Sequence, residues 1–210
     1  MKGLIMMKKI CIIGGSGHAM VVADIIECMI RNGEQAEIIG FLDDNPLKSR
    51  MLSYRRLGSL DQIDELTKSE VNFCIAIGNN QTRKSITEKY RTQWFTPIHP
   101  KAIVSPHVQI MEGSVIMPGC IINAGTVIGR HVIINSAAVI EHDCKISDFV
   151  HVSPNATLCG NVWVDESTHI GAGATIIHNI KIGAHSIIGA GAVVVRDVID
   201  GVIVKGIPAK

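Results

Sequence analysis

Aromatic residues are scarce in this chain: Phe, Tyr and Trp together make up 4% of its 210 residues. So few rings leave little with which to stack on the bases of a single-stranded nucleic acid. Net charge is also nearly absent, at +1 with His neutral, and basic residues gather only in short pairs such as Lys8-Lys9, Arg55-Arg56 and Arg83-Lys84. That balance leaves no electrostatic footprint for a nucleic acid or a membrane surface, and neither is expected as a partner. Close cysteine pairs are missing as well. Cys11, Cys28, Cys74, Cys120, Cys144 and Cys159 stand too far apart for a zinc spacing, so they are expected to be core thiols. After Lys8-Lys9 the apolar run is only Ile10 to Ile13, broken at Gly14 with no cleavage-type site behind it. No secretory signal is expected; the reading is a cytoplasmic chain whose first residues fray ahead of a first strand.

What the chain does have is a period. From Ile98 to Val194 an aliphatic residue recurs at every sixth position through 17 hexads, without exception or insertion. The fifth place of each hexad is mostly small, as at Ala102, Ser114, Cys120, Ala138 and Ala156, and ends with Val198. No helix has this period. It describes a chain that turns a corner in each hexad, so that three hexads close a triangular coil and successive coils stack as parallel strands about 4.8 Å apart. The aliphatic positions then share one interior, each contributing roughly 1.5–3 kcal/mol against the entropy of ordering the chain. This accounts for an architecture and leaves chemistry open.

Ahead of the repeat, Ile10 to Ile13 reads as a short strand, followed by Gly14-Gly15-Ser16-Gly17-His18 and a helix with apolar residues at Val21, Val22, Ile25, Ile26 and Met29. A second strand over 38–42 runs into Asp43-Asp44-Asn45-Pro46. A third over 72–77 runs into Gly78-Asn79-Asn80, before a polar helix to about Tyr90. In an open parallel sheet such ends share one edge, where ligands bind beside helix N-termini. Ser16, Gly17, His18, Asp43, Asp44 and Gly78 are therefore expected to converge on one phosphate-bearing ligand. The dinucleotide fingerprint is not met, because Ser16 and Ala19 replace its second and third glycines, and the domain holds only about half of a doubly wound sheet. A single nucleotide carrying another group is expected rather than NAD. The two units are expected at 1–92, a Rossmann-like α/β domain, and 93–210, the repeat domain.

Every histidine except His18 lies in the repeat, so hexad position has to choose among them. His142 is third in its hexad, at an outward corner between Glu141 and Asp143. A carboxylate beside an imidazole fixes its tautomer and supports it as a general base. One coil further on, Gly160 leaves a notch beside His142, and His178 takes the same corner two coils on. His151 and His169, one coil apart at sixth positions, should form an outward ladder on a neighbouring face.

Taken together, Gly14-Gly15-Ser16-Gly17-His18, Phe41-Leu42-Asp43-Asp44, Ile77-Gly78-Asn79-Asn80, Ile140-Glu141-His142-Asp143-Cys144 and Gly206-Ile207-Pro208-Ala209-Lys210 resemble the bacterial acetyltransferases of the PglD and NeuD type, which modify nucleotide-linked amino sugars. The resemblance covers nearly the whole chain. It implies a homotrimer of left-handed parallel β-helices, with acetyl-CoA between neighbouring helices, the nucleotide sugar on the N-terminal domain, and no metal. It implies His142 as the catalytic base and Asp143, where a relative of this type has a glutamate, as the carboxylate that raises its basicity. It further implies that Asn135 contacts the sugar, that His151, Gly160, Ala172 and Ala190 contact acetyl-CoA, and that Ser16, Gly17, His18, Asp43, Asp44 and Gly78 grip the nucleotide sugar. The implied reaction is acetyl-CoA-dependent N-acetylation of the 4-amino group of a nucleotide-linked, most simply UDP-linked, sugar. O-acetylation of a sialic acid, N-acetylation of GDP-perosamine and a non-catalytic trimeric scaffold are the alternatives.

Overall fold

The computed structural model describes residues 7–210, and the expected frayed start falls on residues 1–6, outside the described residues. The first domain comprises β1 (Lys8–Ile13), α1 (Gly17–Arg31), β2 (Ala36–Leu42), β3 (Arg50–Met51), β4 (Tyr54–Gly58), α2 (Ile63–Thr67), β5 (Val71–Ile75), α3 (Asn80–Lys89) and β6 (Gln93–Trp94). Its sheet has the order β3-β4-β2-β1-β5-β6, parallel throughout except for the β3–β4 hairpin. Ile10, Cys11, Ile12 and Ile13 are all fully buried, because a central parallel strand is covered on both faces. Helix α1 covers one face with Ala19, Val22, Ala23, Ile25 and Ile26. The sequence did not reveal β4, whose alternation of half-buried and exposed residues suits a strand near a sheet edge. Gln93 and Trp94 pair with Asn72 and Phe73, so the first sheet runs two residues past the expected boundary at 92.

The repeat region is a triangular solenoid of two-residue strands. Its first face carries Ile103–Val104, Ile121–Ile122, Val139–Ile140 and their successors. The second begins with Gln109–Ile110 and the third with Val115–Ile116. Partners are 18 residues apart, as in Ile121 with Val139 and Ile133 with His151, which is the three-hexad coil the period predicts. First positions from Ile116 to Val194 are buried. The fourth position lies in the left-handed region in coil after coil, as at Gly125 (φ 79), Ala137 (φ 55), Asp143 (φ 61) and Asn155 (φ 56). A tight turn with positive φ at its third residue is how the chain rounds each corner. Polar fifth positions are satisfied internally: Ser114 Oγ donates to Gly129 O (2.7 Å), Thr126 Oγ1 to Glu141 O (2.9 Å) and Thr168 Oγ1 to Gly183 O (2.7 Å).

The register changes once, near the end. Ile182 bridges Val198 and Ile187 pairs with Ile203, so the last coil is two residues short. Val198 therefore fills a first position and not the expected fifth. Asp197 and Asp200 carry the shortened turn, their Oδ1 atoms accepting the N–H groups of Lys181 (2.8 Å) and Ala184 (2.9 Å).

The first domain rests on the third face and on the corner ahead of it. Asn80 Nδ2 donates to Ser167 O (2.9 Å) and Thr168 O (3.1 Å), and Lys84 pairs with Glu166. His131 is packed between Trp94, edge-on at 4.9 Å, and Phe149, stacked at 5.6 Å. Among the described residues no helix is long and apolar enough to cross a membrane.

Candidate active site

His142 and Asp143 form the corner between the first and second faces. The left-handed backbone at Asp143 swings its short side chain back along the turn, and Oδ2 comes to 2.8 Å from His142 Nδ1. An aspartate thus reaches the ring without the extra methylene of a glutamate. With a carboxylate as partner, Nδ1 carries the proton and Nε2 is left as the acceptor. Glu141, the other flanking carboxylate, is engaged elsewhere: its Oε2 accepts from Asn123 Nδ2 at 2.9 Å. His178 shares the corner but is followed by Asn179, which accepts from Asn161 at 2.8 Å, so it lacks a carboxylate of this kind.

The imidazole of His142 lies over Gly160. A Cβ built at residue 160 would stand 2.6 Å from Nε2, closer than real Cβ contacts come. Gly160→Ala is therefore expected to displace the ring and lower turnover by about tenfold or more, leaving the melting temperature nearly unchanged because no core residue moves. Thermal melts and initial rates on the same preparation check this; normal turnover would show that the ring position is not critical.

The glycine- and aspartate-bearing turns of the first domain stand at the ends of β1, β2 and β5, which are adjacent in the sheet. Asp43 does not project freely: Oδ2 accepts from Gly15 N (2.7 Å) and Oδ1 from Asn45 N (2.8 Å), so the carboxylate fixes the glycine turn. Asp44 Oδ1 accepts from Leu60 N at 2.9 Å. Ser16 is the N-cap of α1 but makes no side-chain cap bond, which leaves its hydroxyl available. Gly14, Gly15, Ser16, Asp43 and Asp44 line a cavity of about 520 Å³. Gly17, His18 and Gly78 do not line it. His18 is turned inward with Nε2 buried and without a hydrogen-bond partner; burial, helped by the charge of Arg83, lowers its pKa to about 4.

Gly78 belongs to the seam between the domains. Its carbonyl accepts from Arg83 Nη1 (2.9 Å) and lies 3.3 Å from His151 Nδ1. A carbonyl can only accept, so Nδ1 of His151 carries the proton, and Nε2 receives Asn135 Nδ2 at 3.1 Å. The expected ladder exists, with the His151 and His169 rings 4.8 Å apart, but the first domain covers His151. Desolvation drives the His151 pKa down to about 3 and holds the ring neutral. Both its nitrogens are occupied, which ties it to Gly78 and Asn135 and not to open surface.

Ala172 and Ala190 stand exposed at the corner between the third and first faces, within Gly171-Ala172-Gly173 and Gly189-Ala190-Gly191. Over two coils this corner bears no side chain longer than a methyl group. The candidate residues thus occupy separate places. His142, Asp143 and Gly160 form one corner; Ala172 and Ala190 form another; Asn135 and His151 lie with the third face, on which the first domain rests and which is opposite the His142 corner across the aliphatic core.

Comparison with known proteins bears on both halves. Residues 9–90 match the family described as the PglD N-terminal domain, and residues 161–196 match the bacterial transferase hexapeptide, six repeats. The acetyltransferase domain of PglB from Neisseria gonorrhoeae FA1090, solved with acetyl coenzyme A, superimposes with a TM-score of 0.91 at 37% identity, covering 98% of this chain and 99% of that one. PerB from Caulobacter crescentus, solved with CoA and GDP-perosamine, gives 0.89 at 37%, covering 99% and 97%. The chain belongs to the PglD-type acetyltransferases of the hexapeptide-repeat family. UDP-N-acetylbacillosamine N-acetyltransferase of Bacillus subtilis (strain 168) is 42% identical over 116 residues, 53% of this chain and 52% of that protein, so the chain spans about half the length of this curated relative. The family's left-handed β-helix is the solenoid described above.

Within this family fold, sequence reading missed part of the first-domain cavity. Thr82, Ser85 and Lys89 line it from α3, together with Tyr90, Leu60 and Asp61. Their spacing of three and then four residues is a one-face helical pattern, and that polar stripe was the available signal.

Proposed function

We propose that the protein is an acetyl-CoA-dependent N-acetyltransferase acting on the 4-amino group of a nucleotide-linked sugar. The observation that carries this reading is the His142–Asp143 pair, with the acceptor nitrogen of the ring poised over the Gly160 notch. Acetyl-CoA, when bound, supplies the acetyl group as an activated thioester. His142 Nε2 would take the proton from the sugar's amine as that nitrogen bonds to the acetyl carbon and the carbon–sulfur bond breaks, and would return it to the departing thiolate so that coenzyme A leaves as the thiol, while Asp143 holds Nδ1–H and offsets the charge that the ring gains. The neutral amine is already a good nucleophile, so much of the acceleration comes from orientation by the two halves of the site. The bare Gly-Ala-Gly corner at Ala172 and Ala190 suits the slender arm of coenzyme A, because it carries no side chain to displace.

The same reading requires three copies. Both corners flank the first face, whose outward residues are Ile103, Ile121, Val139, Thr157, Thr175 and Val193, with no charge among them. The second face instead shows Lys145 and Lys181 stacked on Trp163 at 4.1 and 4.8 Å. Packing first faces around a three-fold axis sets the His142 corner of one copy beside the Ala172 corner and Asn135 of the next. His142 then meets a sugar held by a neighbour's first domain. The six cysteines are free, as suits a cytoplasmic enzyme.

Thiol release from acetyl-CoA, measured with UDP-linked and GDP-linked 4-amino sugars, tests the activity and identifies the nucleotide. No release with either class would overturn it. For the nucleotide half, Asp43→Ala frees the Gly15 turn and is expected to weaken nucleotide-sugar binding by about tenfold, with acetyl-CoA affinity within about twofold of the parent. Equal losses for both ligands in calorimetry would show that the sites are not divided in this way.

A further inference from the structure

Among the described residues Arg83 is the largest fully buried side chain, 1% exposed, and none of its hydrogen-bond acceptors there is a carboxylate. Its Nε donates to His131 O (3.0 Å), Nη1 to Ile77 O (3.2 Å) and Gly78 O (2.9 Å), and Nη2 to Asn80 Oδ1 (3.0 Å), Phe149 O (2.8 Å) and Val150 O (3.3 Å). Acceptors from both domains thus surround one cation. A buried charge held only by neutral oxygens is costly, and the desolvation pulls its pKa down to about 9. Packing alone would be met more cheaply by an apolar residue.

The contacts of Arg83 lead to Asn135. The carbonyl of Gly78 that receives Nη1 is the one that fixes His151 Nδ1, and His151 Nε2 in turn holds the amide of Asn135. Asn135 cannot rotate freely, because its Oδ1 accepts from Ser136 N at 2.9 Å. The line therefore runs from a fixed cation through a turn and a neutral imidazole to a side chain at the edge of the third face. The charge of Arg83 also acts on His18, in the first turn of α1, beside the cavity that Ser16 lines.

We propose that Arg83 is a positioning residue for the nucleotide sugar: it locks the Gly78 turn to the solenoid and sets His151 and Asn135 in register with it. The proposal rests on the nucleotide-sugar reading above. Lysine at this position keeps the charge but cannot reach six acceptors; methionine removes both.

The test compares the trimers of the parent, Arg83→Lys and Arg83→Met, with binding of UDP and GDP by calorimetry and with initial rates in each substrate. For Arg83→Met the KM for the nucleotide sugar is expected to rise by about 10- to 50-fold while the KM for acetyl-CoA stays within about twofold. Arg83→Lys should fall between that variant and the parent. If Arg83→Met fails to fold, Arg83→Lys alone carries the test, with about a fivefold rise expected in the same KM and in nothing else. Unchanged nucleotide-sugar KM in Arg83→Lys, or a parallel rise for both substrates, would overturn the assignment. A parent that binds neither nucleotide would instead overturn the nucleotide-sugar reading, and this proposal with it.

Discussion

Replacing His142 with alanine is expected to lower turnover by about 10²- to 10⁴-fold, the usual worth of a positioned general base, with little change in either KM. The oligomeric state and the melting temperature should be nearly unaffected, because the side chain is 64% exposed and packs on no core residue. Asp143→Asn should cost less, about tenfold. Asparagine tolerates the left-handed backbone at this position (φ 61), so the corner survives, but a neutral amide does not offset charge gained by the ring. Steady-state rates with the preferred amino sugar, beside thermal melts, check both variants. Near-normal turnover in His142→Ala would end the catalytic assignment and make His178, at the same corner, the next residue to test.

The contrast between the two halves of the molecule shows what a sequence makes legible. The solenoid is written residue by residue, because every inward position is set by one spacing, and 18-residue pairing follows from it without tertiary information. The exception is local: Val198 moves to a first position because Asp197 and Asp200 cap a shorter turn, and a two-residue deletion at the end of a repeat has no signature of its own. The turns after β1, β2 and β5 were also readable from their glycines and aspartates. What those side chains do was not. Asp43 looks like a ligand in the sequence and serves as a brace for Gly15 in the fold. His151 looks like one rung of an exposed ladder, and is covered because α3 and the Gly78 turn fold back on the third face, a contact between residues 73 positions apart. Arg83 reads as half of a basic surface pair with Lys84 and is instead buried in the seam. Long-range contacts of this kind leave no period in the chain.

Mixing two inactive variants is expected to restore activity, an outcome that only a site shared between copies can produce. His142→Ala lacks the proposed base but keeps the cavity of its first domain. Ser16→Trp should block that cavity of about 520 Å³ while leaving the fold intact, since Ser16 is exposed and makes no side-chain cap bond, and its own His142 corner is untouched. Each variant alone is expected to be inactive. After co-expression or unfolding and refolding together at equal amounts, copies assort at random, and about a quarter of the interfaces unite a good His142 corner with a good nucleotide half from the next copy. The mixture should therefore recover about a quarter of parental turnover. The opposite placement of the two halves on each chain, with the aliphatic core between them, is what motivates the expectation. Were the site complete within one chain, no pairing of these variants would help, and a mixture as inactive as its components would refute the shared site. An excess of either variant should lower the recovery on both sides of the equal mixture, because every working interface needs one chain of each kind.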